Sequence, residues 1–540
     1  MTLTYFSYFQ GYKSKAQSMR YPSIFNDVVG PVMRGPSSSH CAASLRIGRI
    51  CHDLMDGKIS GIEIDFDTNG SLATTHKDQG SDMGLFGGFL GWEAHDERLV
   101  DSESHLRSAR IEVRINIVDF QAEHPNTYRI TLKNPWETHQ VVALSTGGGM
   151  IEVIEIDKTE VSLAGDSFVT LIYTGNPDKI SQYLKESKAV EAFQVHTGEA
   201  CFILVSTRDA LDSSILNELN QLEGVTSIKQ LNPVLPILGS NDTQVPFITT
   251  EEMLAYNEGK NLPLWQLAAR YESMRGNISE EEVFSKMNQI RIILRDAVKT
   301  GLKGTKFEDR ILGPQSVKFK AMMEDKKLVD GEVLNRIIMY VSAIMEVKSS
   351  MGVIVAAPTA GSCGAMPGAV LGVVDALGLS DEETVKALLI AGLIGVFIAA
   401  HSTFAAEVGG CQAECGAGGT MAAASLVYLA GGTLPQSLSA ASMALQSSLG
   451  LICDPIGNRV EAPCLNRNVM AASNALSCAN MALADYDHLI PLDEVIETMY
   501  EVGKSIPNTL RCTNLGGLSI TKTAKKIEHR LAKKQFFKSC

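Results

Sequence analysis

The sequence predicts a multidomain protein with an N-terminal α+β domain, a ferredoxin-like module in the middle and a C-terminal all-α bundle. Alternating strand patterns dominate the first third of the chain, and a β-α-β-β-α-β order follows from about residue 167. Long apolar helical patterns fill the second half. With 540 residues, the chain is too long for one ordinary domain.

Composition narrows the class of protein. Hydrophobic residues make up 45% of the chain and charged residues 20%, which is typical of globular proteins. A net charge of −13 argues against nucleic acid or an acidic membrane surface as the main partner. The longest apolar run, residues 387–400, is shorter than the ~18 residues of a membrane span, and no secretory signal pattern opens the sequence. Eleven cysteines indicate thiols or metal ligands rather than a disulfide framework. We therefore expect a cytoplasmic protein with no membrane partner.

The first domain is expected at residues 19–165, after an N-terminal extension at 1–18. Ser23 is expected to cap a short helix, and Ser37, Ser38 and Ser39 precede a helix that begins at His40. Hydroxyls and free N–H groups at a helix N-terminus favour a carboxylate or phosphate site, whereas ordinary capping needs only one Ser. The other predicted elements are strands at 62–66, 109–117, 128–132 and 141–144, a helix at 83–92 and a tight turn at 145–149.

The predicted module covers residues 166–240 and is followed by a linker at 241–258. Its size and element order resemble an ACT domain, the small module that senses amino acids. A ferredoxin-like spacer or dimerisation unit that binds nothing is the alternative, because fold does not imply function.

The helical domain is expected at 259–540. It opens on a capping-box match at Ser279–Glu282. Apolar helices are then predicted at 331–348, 381–401, 420–429, 436–449 and 468–484. Because these helices are apolar on most faces, they are expected to bury one another.

Three loops of this domain carry candidate site residues. The first, residues 357–367, offers Thr359, Gly361, Ser362 and backbone amides for carboxylate binding. The cysteines of the other two loops are Cys411, Cys453 and Cys464. Without CxxC spacing a compact zinc site is not expected. Three separated thiolates suit an iron–sulfur cluster with one iron free to act as a Lewis acid, and three buried structural thiols are the alternative.

Six motifs together are similar to the iron–sulfur-dependent L-serine dehydratase family: GPSSSH, STGGG, APTAGSCG, GCQAE, CDP-x-G and PCLNRN. The spacings of 42 and 11 residues between the three cysteines also fit the family. The resemblance runs from about Met19 to Gly517 and covers the family's β and α halves in one chain. It implies a [4Fe-4S] cluster and deamination of L-serine to pyruvate and ammonia. It also implies an N-terminal domain similar to the allosteric substrate-binding domain of some phosphoglycerate dehydrogenases.

The resemblance assigns roles to individual residues. Cys411, Cys453 and Cys464 match the cluster ligands, and Cys540 matches a C-terminal cysteine that some members use as a removable fourth ligand. His40 is a candidate acid or base, or a ligand of the substrate. The candidate carboxylate-binding residues are Ser37, Ser38, Ser39, Thr359, Gly361 and Ser362.

The chain departs from the family pattern at three positions. Gln79 stands where the family has a histidine with a proposed catalytic role, and His76, three residues earlier, is the candidate replacement. Asn466 replaces a usual acidic residue, and Cys415 adds a thiol four residues after Cys411. On one helix these two cysteines would share a face and compete as ligands, with Cys411 favoured by spacing.

The sequence also allows several alternatives to this function. One is β-elimination on another substrate, such as cysteine desulfidation or dehydration of another β-hydroxy acid, and another is a non-catalytic amino-acid sensor. A pyridoxal phosphate enzyme would use Lys318 and the glycines at 416–419. The expected partner is a small amino-acid substrate between the N-terminal domain and the bundle loops, in a homodimer.

Overall fold

The structure is a computed structural model that describes residues 21–187, 190, 192–239, 243–308 and 310–538. The predicted extension at 1–18 and the predicted ligand Cys540 lie outside the described residues.

The N-terminal domain is built on a six-stranded mixed sheet. Its elements are β1 (Val32–Met33), α1 (Ala43–Leu54), β2 (Gly61–Asp67), α2 (Leu72–Thr75), α3 (Ser81–Phe89), α4 (Ser102–Ser108), β3 (Glu112–Val118), β4 (Thr127–Lys133), β5 (Thr138–Gly147), β6 (Met150–Ile156) and β7 (Thr159–Leu163). The strand order is β3-β2-β4-β5-β6-β7, and β2 and β3 form the parallel pair. Buried and less buried residues alternate along β2, as expected for a sheet with one face in the core.

The sheet is larger than predicted. The four predicted strands are present, but β6 and β7, which were not predicted, extend the sheet beyond β5 within the expected domain at residues 19–165. The Gly-rich turn at 145–149 joins β5 to β6, with Gly148 and Gly149 at positive φ. Such a turn needs glycine because side chains with a Cβ rarely adopt this backbone conformation. The turn is therefore a hairpin of a larger sheet.

The middle module has the predicted β-α-β-β-α-β order. Its elements are β8 (Phe168–Thr174), α5 (Pro177–Ser187), β9 (Phe193–Thr197), β10 (Cys201–Thr207), α6 (Ser213–Gln221) and β11 (Val225–Leu231). The four strands form an antiparallel sheet in the order β11-β8-β10-β9. Lys229 on β11 joins the module to the N-terminal domain through Asp56 and Glu137, at 2.8 and 2.9 Å.

The C-terminal region is helical, apart from one short strand. Its elements are α7 (Thr250–Asn257), α8 (Leu264–Gly276), α9 (Glu280–Lys303), α10 (Ser316–Glu324), α11 (Glu332–Ser349), β12 (Ile354–Val355), α12 (Ala365–Leu377), α13 (Asp381–His401), α14 (Ala406–Gly409), α15 (Cys415–Leu429), α16 (Leu434–Gln446), α17 (Cys464–Leu483), α18 (Leu492–Ser505) and α19 (Lys522–Lys538). The helices predicted at 331–348, 381–401, 420–429, 436–449 and 468–484 are confirmed as α11, α13, α15, α16 and α17. The Ser279 side chain accepts a hydrogen bond from the N–H of Glu282 at the start of α9, as the capping signal predicts.

Among the described residues, two helical segments are long and apolar enough to cross a membrane by length and composition alone. These are residues 360–377 and α13, and 83% and 78% of them are buried inside the protein. Both segments are therefore core helices, as predicted for residues 387–400.

The N-terminal segment belongs to the helical core as well as to its own domain. β1 pairs antiparallel with β12, and Gly30 donates to the carbonyl of Ala356 at 2.9 Å. A π-helical turn at Ile24–Val28 packs against α13, and its residues share one continuous hydrophobic core with the bundle. This docking places the His40 region against the bundle loops.

Candidate active site

The predicted cluster ligands come from three different elements. Cys411 opens a 3₁₀ turn before α15, Cys453 follows α16, and Cys464 is the first residue of α17. All three side chains are buried. Cys411 and Cys453 pack together in a small cluster with Ala365, Ala406 and Ala471. Asn468 links Cys464 to this cluster, because its side-chain amide donates to the carbonyl of Cys464 at 2.8 Å and to the thiol of Cys415, a member of the cluster, at 3.5 Å. Burial is the main cause of the raised pKa of Cys464, and the charge of Cys411 adds to it.

Two further thiols belong to this cluster, Cys415 and Cys512. The Cys415 thiol is hydrogen-bonded to Cys411, which raises the pKa of Cys415, and it also accepts from the amide of Asn468 at 3.5 Å. Cys411 and Cys415 do not share one helix, since the 3₁₀ turn ends before α15 begins. The two thiols therefore do not share one helix face. They contact each other across the junction between the 3₁₀ turn and α15.

Sequence reasoning missed Cys512. The backbone of Cys453 pairs with the segment 510–512 through two hydrogen bonds of 2.8 Å. The thiols of Cys453 and Cys512 are hydrogen-bonded, and this contact, followed by burial, raises the pKa of Cys453 well above its ordinary value. Cys512 lies 48 residues after Cys464, in a loop without periodic pattern, so no local signal marks it.

Positive charges lie beside the thiols. Arg467 is ion-paired with Asp454, and although burial lowers the pKa of Arg467, the charges of Cys411 and Asp454 raise it above its ordinary value. Lys348 is fully buried and donates to the carbonyl of Val460. Its charge partly offsets the rise in the pKa of Cys464. Nearby cations of this kind stabilise thiolates, the form that binds metals.

This donor set fits an iron–sulfur cluster better than a single metal ion. Within the described ranges, no three His, Cys, Asp or Glu side chains are grouped as ligands of one ion. In a four-iron cluster each thiolate binds a different iron, so its ligands need not converge on one point. The all-sulfur chemistry, the burial and the adjacent cations are what such a cluster requires.

The predicted carboxylate-binding loop lies beside these cysteines. Thr359 and Ser362 form a capping box with each other, and the Thr359 hydroxyl donates to Glu414 at 2.6 Å. A Cβ on Gly361 would approach a carboxylate oxygen of Glu414 to 2.7 Å, so a larger residue here would displace the Glu414 side chain. The Ser38 hydroxyl accepts from the N–H of Ala360 at 3.1 Å. The structure thus brings together two of the predicted substrate-binding segments.

The remaining two serines support the same region through local contacts. The Ser37 hydroxyl lies 3.1 Å from Nδ1 of His40, and the carbonyl of Ser39 accepts from the hydroxyl of Ser145 at 2.7 Å. In this arrangement the serine hydroxyls and carbonyls hold the helix start and the Gly-rich hairpin in place.

His40 is fully buried, and its partners determine its tautomer. The Thr75 hydroxyl donates to the carbonyl of Ser71 at 2.7 Å, so it accepts from Nε2–H of His40 at 2.8 Å. Nδ1 is then the unprotonated nitrogen, which accepts from Ser37. Burial, followed by the charge of His76, lowers the pKa of His40 to about 3. His40 is therefore a neutral side chain at pH 7.

His76 has a different environment. Its Nδ1 lies 2.7 Å from a carboxylate oxygen of Asp82, and its ring packs against Phe66. Donation from Nδ1–H to a carboxylate leaves Nε2 as the proton-accepting nitrogen, as in other carboxylate-oriented histidines. Of the two predicted histidines, His76 has the geometry of a general base.

The segment around Gln79 docks onto the bundle at the cysteines. Gln79 is buried, and its side-chain amide donates to the thiol of Cys512 at 3.4 Å. Asn458 donates to the carbonyl of Thr74 at 2.8 Å, and Arg459 donates to that of Asp78 at 3.0 Å. Gln79 thus makes a structural contact at the position where a catalytic histidine was expected.

Glu407 is a second site residue to which no role was assigned from sequence. It lies on α14, and its Oε1 is 3.5 Å from Nδ1 of His40. Burial raises the pKa of Glu407 to about 7, and the charge of Glu414 contributes to this increase. Its other oxygen, Oε2, is buried and has no hydrogen-bond partner among the described residues.

The residues of the pyridoxal phosphate alternative are not arranged for that cofactor. Lys318 is exposed on α10, and the glycines at 416–419 lie inside α15 rather than in a loop. A Schiff-base lysine needs an enclosed site, and a phosphate cradle needs free backbone N–H groups.

Comparison with known proteins covers the C-terminal half. The model of the serine dehydratase alpha chain family matches residues 259–519. The probable L-serine dehydratase alpha chain of Bacillus subtilis is 36% identical over 285 residues, which is 53% of this chain and 95% of that protein. The L-serine dehydratase alpha chain of Peptoniphilus asaccharolyticus is 35% identical, over 53% of this chain and 98% of that protein. L-serine dehydratase 1 of Escherichia coli is 32% identical over 52% of this chain and 63% of its own length. This chain therefore belongs to the L-serine dehydratase family, the family that its motifs predict.

Proposed function

We propose that this protein is a [4Fe-4S]-dependent L-serine dehydratase, a lyase that converts L-serine to pyruvate and ammonia. The observation that carries the proposal is the burial of Cys411, Cys453 and Cys464 in one region, next to the 357–367 loop and the His40 segment. Family membership supports the same reaction, because the relatives are named L-serine dehydratases.

Cys411, Cys453 and Cys464 would hold the cluster, with Arg467 and Lys348 balancing the negative charge of the thiolates. When bound, the cluster would supply a Lewis-acidic iron that draws electrons from the substrate hydroxyl and makes it a better leaving group.

The protein side chains would handle the proton and the substrate's orientation. In this proposal Nε2 of His76 accepts the proton from Cα of serine, and Asp82 stabilises the resulting imidazolium. Loss of that proton and of the hydroxyl amounts to loss of water, and it leaves an enamine. The enamine tautomerises to an imine, whose hydrolysis gives pyruvate and ammonia. Neutral His40, fixed by Thr75, adds no positive charge of its own to the neighbouring wall of the site.

Other parts of the proposal concern the context of the reaction. We propose that the protein is a cytoplasmic homodimer whose middle module, with its ferredoxin-like sheet, is an ACT-like sensor of amino acids. Cys540 is proposed as a fourth cluster ligand on the strength of the family resemblance alone.

Anaerobic purification followed by iron and acid-labile sulfide analysis tests the cofactor, and pyruvate release from L-serine, L-threonine and L-cysteine tests the reaction. We expect about four irons and four sulfides per chain and fastest release from L-serine. Active protein without iron would contradict the cluster. Release of pyruvate from L-cysteine but not from L-serine would replace the proposed substrate.

A further inference from the structure

Three unpartnered polar atoms lie together beside His40. These are Oε2 of Glu407 and both side-chain atoms, Oδ1 and Nδ2, of Asn126. Glu407 is 5% exposed and Asn126 is fully buried. The Asn126 amide is close enough to Glu407 to lower its pKa slightly, yet it makes no hydrogen bond of good geometry with it. Buried polar groups are rarely left without partners, so this group needs an explanation.

The backbone holds Asn126 firmly in this position. Its carbonyl accepts from the N–H of Ser145 at 3.0 Å, and its own N–H donates to the ring of His124 at 3.1 Å. Ser145 in turn donates to the carbonyl of Ser39, next to His40. The unpartnered amide thus belongs to a fixed and buried backbone position just before β4, beside the end of β5, and not to a mobile surface group.

Glu407 is held just as firmly. Its N-terminal neighbour Ala406 packs in the same cluster as Cys411 and Cys453. Within the described part of the chain, no Lys or Arg pairs with the Glu407 carboxylate, and the nearest titratable partner, His40, is uncharged at pH 7. A buried carboxylate without a counter-charge is costly, so Glu407 readily takes up a proton when the site is empty, and a bound cation would stabilise its charged form.

The three atoms match the two charged groups of an amino acid. Oε2 of Glu407 and Oδ1 of Asn126 are acceptors suited to an ammonium group, and Nδ2 of Asn126 is a donor suited to a carboxylate. These two groups are attached to the same carbon in every α-amino acid. Exchanging the oxygen and nitrogen of the Asn126 amide leaves the match intact, because both atoms are unpartnered.

We propose that Glu407 and Asn126 form the subsite that binds the α-ammonium group of the substrate, with Glu407 as its ionic partner. The inference rests on the proposed function for the identity of the substrate, but the subsite itself needs only an amino acid. It explains how the protein would distinguish an amino acid from the corresponding hydroxy acid.

Binding of two unreactive probes to the anaerobic holoenzyme tests the subsite. L-alanine carries the ammonium group and cannot lose water, and L-lactate has a hydroxyl group in its place. By calorimetry we expect Glu407→Gln to weaken L-alanine binding about tenfold or more, as for loss of a charge-assisted hydrogen bond. L-lactate binding should change by less than about twofold. Asn126→Ala should weaken both ligands, because it removes the donor to the carboxylate.

Glu272→Gln is the matched control. Glu272 is also buried, and burial raises its pKa, but its oxygens accept from the Ser23 hydroxyl and the N–H of Ile24. The Glu272→Gln variant should leave the affinities for L-alanine and L-lactate unchanged. Unchanged L-alanine affinity in Glu407→Gln would overturn the subsite.

If Glu407→Gln does not retain the wild-type melting temperature, Asn126→Ala decides the question. Loss of L-alanine affinity in Asn126→Ala then supports the subsite, and unchanged affinity overturns it. A wild-type protein that binds L-alanine but releases no pyruvate from L-serine would refute the proposed function and leave the subsite standing.

Discussion

The side-chain amide of Gln79 donates a hydrogen bond to the thiol of Cys512, with Nε2 and Sγ 3.4 Å apart although the two residues are 433 positions apart in the chain. Both side chains are buried. The Cys512 thiol in turn contacts the thiol of Cys453. Cys512 therefore connects the N-terminal domain to one of the predicted cluster ligands.

We predict that Gln79 and Cys512 are energetically coupled. Gln79→Ala and Cys512→Ala should each lower the free energy of unfolding by about 1–2 kcal/mol, because each leaves a buried polar partner unsatisfied. The double variant should be less destabilised than the sum, with a coupling energy of about 0.5–1 kcal/mol. Denaturant unfolding of the metal-free protein measures the free energy of unfolding of the two single variants and the double variant. Strict additivity would show that the contact carries no energy.

Replacing individual cysteines should change the iron content of the protein to different extents. Cys411→Ala should lose most of its iron after anaerobic purification, because it removes one of the three predicted ligands. Cys415→Ala should keep its iron, because the Cys415 thiol is hydrogen-bonded to Asn468 and Cys411 and is not a predicted ligand. Cys51→Ala, buried in the core of the N-terminal domain, is the control that should match the wild type. Iron loss in Cys415→Ala with retention in Cys411→Ala would reverse the assignment.

His76 is predicted to act in turnover and His40 in positioning. His76→Ala should reduce kcat about 10²- to 10⁴-fold with little change in KM, the range expected for a lost general base. Asp82→Asn should also reduce kcat, because it removes the acceptor that fixes the His76 tautomer. His52→Gln, whose ring contacts the carbonyl of Phe89 away from the cysteines, serves as the control. A His76→Ala enzyme with wild-type kcat would exclude this base.

Glu407 gives the stability of the ligand-free protein a defined pH dependence. Its pKa is about 7 in the folded protein and near 4.5 when unfolded, so the folded state binds the extra proton between these values. Stability should therefore fall as pH rises from about 4.5 to about 7. Glu407→Gln removes this loss and should be the more stable protein above pH 7, by an amount on the order of 3 kcal/mol.

Thermal unfolding of wild type and Glu407→Gln from pH 5 to pH 8 measures this difference. The groups facing Glu407 include His40, Glu414 and Tyr128, which are the same in both proteins, so the difference between the two curves measures the titration of Glu407 together with its coupling to these groups. Glu251→Gln, at an exposed glutamate, should follow the wild-type curve. Parallel curves for wild type and Glu407→Gln would contradict the prediction.

Features encoded by residues that are neighbours in the chain could be predicted from the sequence, whereas contacts between distant residues could not. The helix at Asp381–His401 was predicted to the residue, because Ser380 caps it and its apolar run is continuous. The paired strands β6 and β7 were not predicted, although β6 alternates apolar and charged residues. Cys512 and Glu407 acquire their roles from neighbours that are distant in the chain, and no spacing rule encodes such contacts.

The pairing of β1 with β12 has a consequence for dilute solution. Because residues 32–33 and 354–355 belong to one polypeptide, the two halves of the site find each other at a high effective concentration fixed by the chain and not by the amount of protein. Assembly of the Ser38–Ala360 contact should then not weaken on dilution.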